Sequence, residues 1–211
     1  MSLRLAEGTP AHARLLRLGA VRSVVALHRR GFEDLVPTAA FASLFPEPIL
    51  TYRVPAPLPR AYAVGRAQVL DGQAALRALL DPSFDPTQQV VLAGEGAAAA
   101  AEAGRGGRGR VRIDELFADR ERLEADLDRA GYVVSVDTWD PGWRAWVDGK
   151  ASTVLRANVA FRAVAVPAGR HVIELVYRPW SVLVGVTVTA GALVVCIGLG
   201  GVLYRRRRRR R

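Results

Sequence analysis

The chain has 211 residues, of which 50% are hydrophobic, so it can build one or two modest domains and is not disordered throughout. Its formal charge of +10 would suit a nucleic-acid-binding protein, but subtracting the seven arginines at 205–211 leaves only +3. A basic run confined to one terminus does not make a nucleic-acid-binding domain, so no nucleic-acid partner is expected.

The first 92 residues are predicted to form a mixed α/β segment. Residues 11–18 are typical of a short helix that ends at Gly19. The strand-like run at 21–27 follows. The stretch 37–59 is rich in proline and is expected to be irregular.

The second part of this segment contains one more helix and two extended runs. Residues 60–64 look extended, and Asp71 can cap a helix that Pro82 stops. Residues 88–92 are a candidate buried strand. The stretch 93–109, rich in Ala, Gly and Arg, is predicted to be a linker or loop, and its RGG-like end is more typical of a solvated connection than of an RNA-binding site.

Residues 110–179 are predicted to form a small antiparallel β-sandwich. The stretch 111–130 fits either a helical stripe or two alternating strands around 118–120, and we favour strands because the sheet that follows needs partners. Asp148-Gly149 is a strong two-residue hairpin signal. The later strands are predicted at 132–136, 143–147, 151–156, 159–166 and 170–177.

The segment 180–204 is predicted to be one transmembrane α-helix. It contains no charged residue, and at about 1.5 Å per residue it is long enough to cross a hydrocarbon core of roughly 30 Å. Trp180 and Tyr204 stand at its ends, where aromatic rings prefer the headgroup zone. The arginine tail 205–211 should be cytoplasmic, which makes the soluble part extracytoplasmic and places the chain in the cell (inner) membrane.

Two further expectations concern the membrane. Ser181, Gly185 and Thr189 recur every four residues, a small-residue stripe that would permit packing against other transmembrane helices, although chance spacing explains it equally well. Residues 1–30 hold no long apolar run, so no signal peptide is predicted. An outside domain needs a segment that carries it across, and we therefore expect the chain to be the C-terminal piece of a longer polytopic protein.

A family resemblance is carried by a set of residues in the predicted sandwich. They are Pro141-Gly142-Trp143, Val147-Asp148-Gly149, Asn158, Phe161-Arg162, Val166-Pro167, Gly169, His171, Tyr177 and Pro179. In this order, and followed by a span, they resemble the C-terminal region of bacterial YfhO-type membrane proteins. The upstream segments 16–26, 58–64 and 81–86 are similar to those that precede this region in the same family.

The resemblance implies a role in the cell envelope. YfhO-type proteins resemble multi-pass glycosyltransferases of the GT-C type, which move sugars from a polyprenyl-phosphate carrier to acceptors outside the membrane. Their catalytic acids are expected in early extracytoplasmic loops, which this chain does not contain, so no catalytic residue is assigned here. The alternative is a non-enzymatic, membrane-tethered β-sandwich module that binds envelope glycan or a partner protein. A cytosolic tail-anchored protein is a third reading, which the arginine tail opposes.

Candidate glycan-binding residues share aromatic rings or hydrogen-bonding groups, because sugars are bound by stacking and by polar contacts. They are Trp139, Asp140, Trp143, Trp146, Asn158 and Arg162. Alternation places Trp143 and Trp146 on opposite faces of one strand, so these two rings cannot form one platform. The alternative is that one of these tryptophans fills the core and that Asp148 only serves the hairpin turn.

No metal site or cofactor is expected. His171 and Glu174 are an odd number of residues apart on a predicted strand and therefore point to opposite faces. The single cysteine, Cys196, cannot form an intramolecular disulfide or a cysteine-based metal site. The expected partners are the lipid bilayer, other transmembrane helices of an intact protein, and a cell-envelope glycan or polyprenyl-linked sugar.

Overall fold

The computed structural model describes residues 7–44, 46–94, 96–104 and 106–208. Within them, the helices are α1 (Pro10–Leu18), α2 (Gly72–Leu80), α3 (Ala97–Ala103) and α4 (Trp180–Arg208). The strands before α3 are β1 (Ser23–Ala26), β2 (Val36–Phe41), β3 (Ile49–Arg53), β4 (Ala61–Val64), β5 (Arg66–Val69) and β6 (Gln89–Ala93). The strands after α3 are β7 (Gly109–Leu116), β8 (Arg120–Leu127), β9 (Gly131–Ser135), β10 (Trp143–Val147), β11 (Lys150–Ser152), β12 (Leu155–Ala157), β13 (Phe161–Val166) and β14 (Gly169–Tyr177).

The described strands form three sheets. A three-stranded sheet has the order β1-β3-β2, a five-stranded sheet has the order β11-β10-β14-β8-β7, and a six-stranded sheet has the order β4-β9-β13-β12-β6-β5. Among the described strands, neighbours pair antiparallel except β5 and β6, which pair parallel. The six-stranded sheet contains β4, β5 and β6, so strands from before residue 93 pair with strands from after residue 109.

The five- and six-stranded sheets pack face to face as a sandwich. Leu123, Ile173 and Leu175 of the five-stranded sheet share one core cluster with Val133 and Val164 of the six-stranded sheet. Each fully buried side chain of this size stabilises the fold by about 1.5–3 kcal/mol. Buried and exposed residues alternate along β8, and its odd-numbered residues face inward and contribute to this core.

Two smaller cores complete the soluble part. The outer face of the six-stranded sheet packs against α2 and α3, through residues that include Leu79 and Ala97. The three-stranded sheet packs against α1, where Leu16 contacts a cluster that contains Tyr52. The predicted cap of α2 is confirmed, because the carboxylate of Asp71 accepts a hydrogen bond of 2.7 Å from the backbone N–H of Gly72.

The predicted fold class is confirmed, with an α+β soluble part that ends in antiparallel strands and is followed by one long helix. Residues Trp180–Leu199 of α4 form a candidate membrane span with a mean hydropathy of 2.5. None of this span is buried against the rest of the described chain. An apolar helix with no protein cover suits a lipid environment.

Two local predictions were wrong. The stretch 37–59 was expected to be irregular, but β3 and most of β2 lie in it. Pro37 lies within β2 because β2 is an edge strand, where a missing N–H costs little, and the ladder shifts register beside it. Within the predicted linker or loop, residues Ala97–Ala103 form a helix, since alanine has the highest helix propensity. Tyr132 anchors this helix by donating a hydrogen bond of 2.6 Å to the carbonyl of Ala100.

Candidate functional site

A cleft of about 580 Å³ opens between the two sandwich sheets at one end. We call it the Arg162 cleft. Its lining residues include Arg60, Asp137, Asp140, Trp143, Arg162, Tyr177 and the β7–β8 turn at Leu116, Phe117 and Ala118. Antiparallel pairing places these groups together, because Trp143 lies opposite Tyr177 on the five-stranded sheet and Arg162 lies opposite Ser135 on the six-stranded sheet.

A buried ion pair forms the floor of this cleft. The side chain of Arg162 is 2% exposed and that of Glu121 is 0% exposed, and Arg162 Nη2 lies 3.2 Å from Glu121 Oε2. The same nitrogen lies 3.3 Å from Asp137 Oδ2. Arg60 holds Asp137 from the solvent side, with Nη2 donating to Oδ1 at 2.7 Å. These charges are therefore held in one network that links the two sheets.

Ser135 completes the network beneath the cleft. Its hydroxyl donates to Glu121 Oε2 at 2.8 Å and lies 3.4 Å from Arg162 Nη2. Burial raises the pKa of Glu121, and the Ser135 hydroxyl and the Arg162 charge oppose that rise. Burial likewise lowers the pKa of Arg162, while Glu121 and Asp137 oppose that change. Each member of this buried pair therefore has partners that favour its charged form against the effect of burial.

The aromatic wall of the cleft lies against the same arginine. The guanidinium carbon of Arg162 lies 3.8 Å from the ring centroid of Trp143, a cation–π contact. Trp143 packs in turn on Tyr177, with ring centroids 5.2 Å apart. Among the described residues, Nε and Nη1 of Arg162 have no hydrogen-bond partner. This wall of the cleft thus places an aromatic ring beside an arginine whose two unpartnered N–H groups are buried.

Three of the sequence-predicted glycan residues meet in this cleft, namely Asp140, Trp143 and Arg162. Asp140 also stabilises the turn before β10, because its carboxylate accepts a hydrogen bond of 2.7 Å from Gly142 N–H. Burial raises the pKa of Tyr177, and the nearby Asp140 carboxylate raises it further. The Asp140 carboxylate therefore favours the neutral form of the Tyr177 phenol.

The other three candidates lie elsewhere. Trp139 lines a neighbouring groove of about 470 Å³ on the other side of the 139–143 segment, and its indole N–H donates to the carbonyl of Val154 at 3.2 Å. Trp146 lies opposite Glu174 across the pairing of β10 with β14. It lines a separate groove with Glu174. The predicted opposite-face placement of Trp143 and Trp146 is confirmed.

Asn158 has a structural position. It is 4% exposed, and its side-chain oxygen accepts a hydrogen bond of 3.0 Å from the backbone N–H of Val91. Its amide nitrogen donates to the hydroxyl of Tyr62 at 3.1 Å. Its φ of 47° lies in the left-handed region, which asparagine tolerates better than most residues. Both polar ends of this side chain are therefore engaged inside the fold.

His171 and Asp148 form a second polar pair, away from the Arg162 cleft. Asp148 lies in the β10–β11 turn with φ of 49°, and Gly149 follows with φ of 76°, as the predicted Asp-Gly hairpin requires. Its carboxylate lies 2.6 Å from His171 Nδ1 and accepts a hydrogen bond of 2.9 Å from Val172 N–H. This hydrogen bond raises the pKa of His171 and lowers that of Asp148. Within the described residues, no group of three His, Cys, Asp or Glu side chains could hold a metal ion.

Sequence reasoning missed the groups that hold Arg162 in place, which are Glu121, Ser135, Asp137 and Arg60. One signal was available. Glu121 has the same parity along β8 as the inward-facing Leu123, which predicts that its carboxylate lies in the core. A buried carboxylate needs a buried cation as its partner. Which cation it meets depends on pairing between distant strands, and this pairing is not visible in the local pattern.

The small-residue stripe lies on α4. The hydroxyl of Thr189 donates to the carbonyl of Gly185 at 2.8 Å, so this polar group is satisfied within the helix. A Cβ added at Gly185 would have no neighbour within 4 Å apart from the adjacent backbone of the same helix. The packing role of Ser181, Gly185 and Thr189 remains a prediction.

Comparison with known proteins supports the resemblance that the sequence shows. The family described as "Bacterial membrane protein YfhO" matches residues 137–189, which include β10 to β14 and the first part of α4. The likeness of the C-terminal region to YfhO-type proteins is therefore confirmed over these residues. No curated protein and no solved structure matches the chain. The match to a membrane-protein family agrees with the candidate span.

Proposed function

We propose that this chain is the extracytoplasmic C-terminal domain and last span of a polytopic membrane protein that resembles GT-C glycosyltransferases. In this proposal the sandwich is an accessory domain that holds an envelope glycan in the Arg162 cleft, and catalysis belongs to regions outside this chain. The YfhO match at 137–189 supports the membrane assignment and includes Asp140, Trp143 and Arg162. The arginine tail supports the orientation.

The composition of the cleft suits a sugar. The partly exposed rings of Trp143 and Tyr177 provide apolar contact for a sugar beside Arg162, and the neighbouring charged groups can exchange hydrogen bonds with hydroxyls. Arg60 and Arg162 are offset by Glu121, Asp137 and Asp140. A cleft with this charge balance favours a neutral polyhydroxyl ligand over a polyphosphate.

The position of the cleft is the observation that carries the proposal. Tyr177 lines the cleft and ends β14, and α4 begins at Trp180. Only Arg178 and Pro179 separate the two elements. A ligand in the cleft would therefore be held beside the membrane surface, where acceptors of polyprenyl-linked sugars must be presented.

The test is glycan binding by the full chain in lipid nanodiscs. Oligosaccharides prepared from a bacterial cell envelope are screened on an array, and the affinity of each positive is then measured by calorimetry. Trp143→Ala should abolish binding, and Trp143→Phe should retain part of it because an aromatic face remains. Trp146→Ala is the matched control, since this residue lies on the same strand but lines a different groove.

Near-UV circular dichroism of each variant separates a loss of binding from a loss of folding. Equal loss of affinity in the Trp143→Ala and Trp146→Ala variants would contradict a site in the Arg162 cleft. Absence of binding across the array would contradict the glycan role itself.

The three-stranded sheet favours a second candidate, a module that binds a partner protein. Every residue of β2 is exposed, and Val25, Leu44 and Phe41 are 68%, 105% and 54% exposed. Exposed apolar side chains on and beside the two edge strands of this sheet are typical of an interaction surface. Replacing Val25 and Phe41 by Ser should leave glycan binding unchanged and should reduce self-association or partner binding in analytical ultracentrifugation.

A further inference from the structure

The turn between β7 and β8 carries two exposed apolar side chains. Leu116 is 40% exposed and Phe117 is 63% exposed. We call residues 116–119 the Phe117 tip. The tip is a defined turn, because Phe117 N–H donates to the carbonyl of Arg120 at 2.8 Å. Two neighbouring exposed apolar side chains on one ordered turn form a candidate contact surface.

The Phe117 tip is tied to the end of the strand that leads into the candidate span. Tyr177 N–H donates to the carbonyl of Asp119 at 2.8 Å, and α4 begins three residues later at Trp180. Trp180 is 73% exposed, and none of the span is covered by the domain. The bilayer surface therefore lies next to this end of the sandwich.

The opposite end of β14 lies far from that surface. The strand runs from Gly169 to Tyr177, a rise of roughly 27 Å at about 3.4 Å per residue. Ala168, which is exposed, lies just beyond that far end. The sandwich thus has one end next to the membrane, which carries the apolar tip, and one end directed away from it.

We propose that the Phe117 tip inserts into the bilayer interface as a second membrane contact beside α4. At this level the phenylalanine and leucine side chains leave water and enter the boundary between headgroups and acyl chains, where interfacial anchors lie. Arg120 and Arg178 lie beside the tip, but the acidic Glu115 and Asp119 accompany them. The contact is therefore mainly apolar and does not require anionic lipid. This inference depends on the span and not on a bound glycan, although the tip also lines the Arg162 cleft.

Environment-sensitive labelling of the full chain in phosphatidylcholine nanodiscs tests the proposal. In a Cys196→Ala background, Phe117→Cys and the control Ala168→Cys are each labelled with the fluorophore NBD. The label at 117 should show blue-shifted emission and strong quenching by lipids that carry a doxyl group on the acyl chain. The label at 168 should show neither. Identical emission and quenching at the two positions would overturn the proposal.

A second pair of variants separates insertion by the native side chain from insertion by the label. Ala118→Cys is labelled with and without Phe117→Ser, and the quenching should fall when the phenyl ring is lost. Unchanged quenching, a requirement for phosphatidylglycerol, or a blue shift that needs added oligosaccharide would each overturn apolar insertion. The last outcome would assign the tip to the Arg162 cleft.

Discussion

The buried pair of Glu121 and Arg162 makes a quantitative prediction about stability. Replacing Glu121 by Gln keeps an acceptor for the Ser135 hydroxyl but leaves Arg162, 2% exposed, with Asp137 as its remaining carboxylate. Breaking a buried ion pair by removing one partner costs about 3–5 kcal/mol. Because Asp137 is retained, we expect Glu121→Gln to lower the free energy of unfolding by about 3 kcal/mol, the low end of that range.

The reverse substitution, Arg162→Met, should have a pH dependence of its own. Burial already raises the pKa of Glu121 above its ordinary value of 4.5, and loss of the neighbouring cation raises it further. A carboxyl whose pKa is raised in the folded state stabilises the fold below pH 4.5 and loses this contribution as pH rises through the folded pKa. Arg162→Met should therefore be more destabilised, relative to the wild type, at pH 8 than at pH 5.

The assay is urea unfolding of the full chain in detergent, followed by tryptophan fluorescence, for both single variants and the double variant. The double variant Glu121→Gln/Arg162→Met should cost less than the sum of the single variants by about 2 kcal/mol, since neither buried charge remains. Trp146→Phe serves as a control away from the network. Additive costs, or a cost for Glu121→Gln near zero, would refute the reasoning that these charges depend on each other.

Three further predictions concern other parts of the molecule. The hydrogen bond to Asp148 raises the pKa of His171. Protonated His171 therefore stabilises the fold fully below pH 6.5, and this stabilisation is lost as pH rises through the raised pKa. Asp148→Ala should remove this pH dependence from the unfolding midpoint. Gly142→Ala should destabilise the cleft, because an added Cβ would lie 2.8 Å from Tyr177 Cε2, and a lower melting temperature with weaker glycan binding would show it. In intact cells, a cysteine at Ala168 should react with a membrane-impermeant maleimide if the sandwich is extracytoplasmic, and protection from the reagent would contradict the orientation.

Local signals in the sequence were sufficient for most of the sandwich. Asp148-Gly149 fixed the β10–β11 hairpin, since a two-residue turn with both φ values positive accepts few other pairs. The two alternating strands predicted within 111–130 exist as β7 and β8, because alternation on β8 reflects burial of one face. These features depend on residues close together in the chain.

Features that depend on distant pairing could not be predicted. The sequence gives no sign that β9 lies between β4 and β13, and this order brings Ser135, Arg60 and Arg162 together. The chemistry of Asp140, Trp143 and Arg162 predicts sugar contact, and the fold places these residues in one cleft. The amide of Asn158 suggests the same role, but its left-handed backbone and its bond to Val91 give it a structural one.

The short junction between β14 and α4 has a mechanical consequence. Pro179 restricts its own φ, and the N–H of Arg178 donates to the carbonyl of Gly142 at 2.8 Å, so the domain has little freedom to swivel on its anchor. A thinner or thicker bilayer changes the tilt of the helix. Because the junction is stiff, the whole sandwich then rotates with the helix. Bilayer thickness would in this way set the height and the angle of the domain relative to the membrane surface.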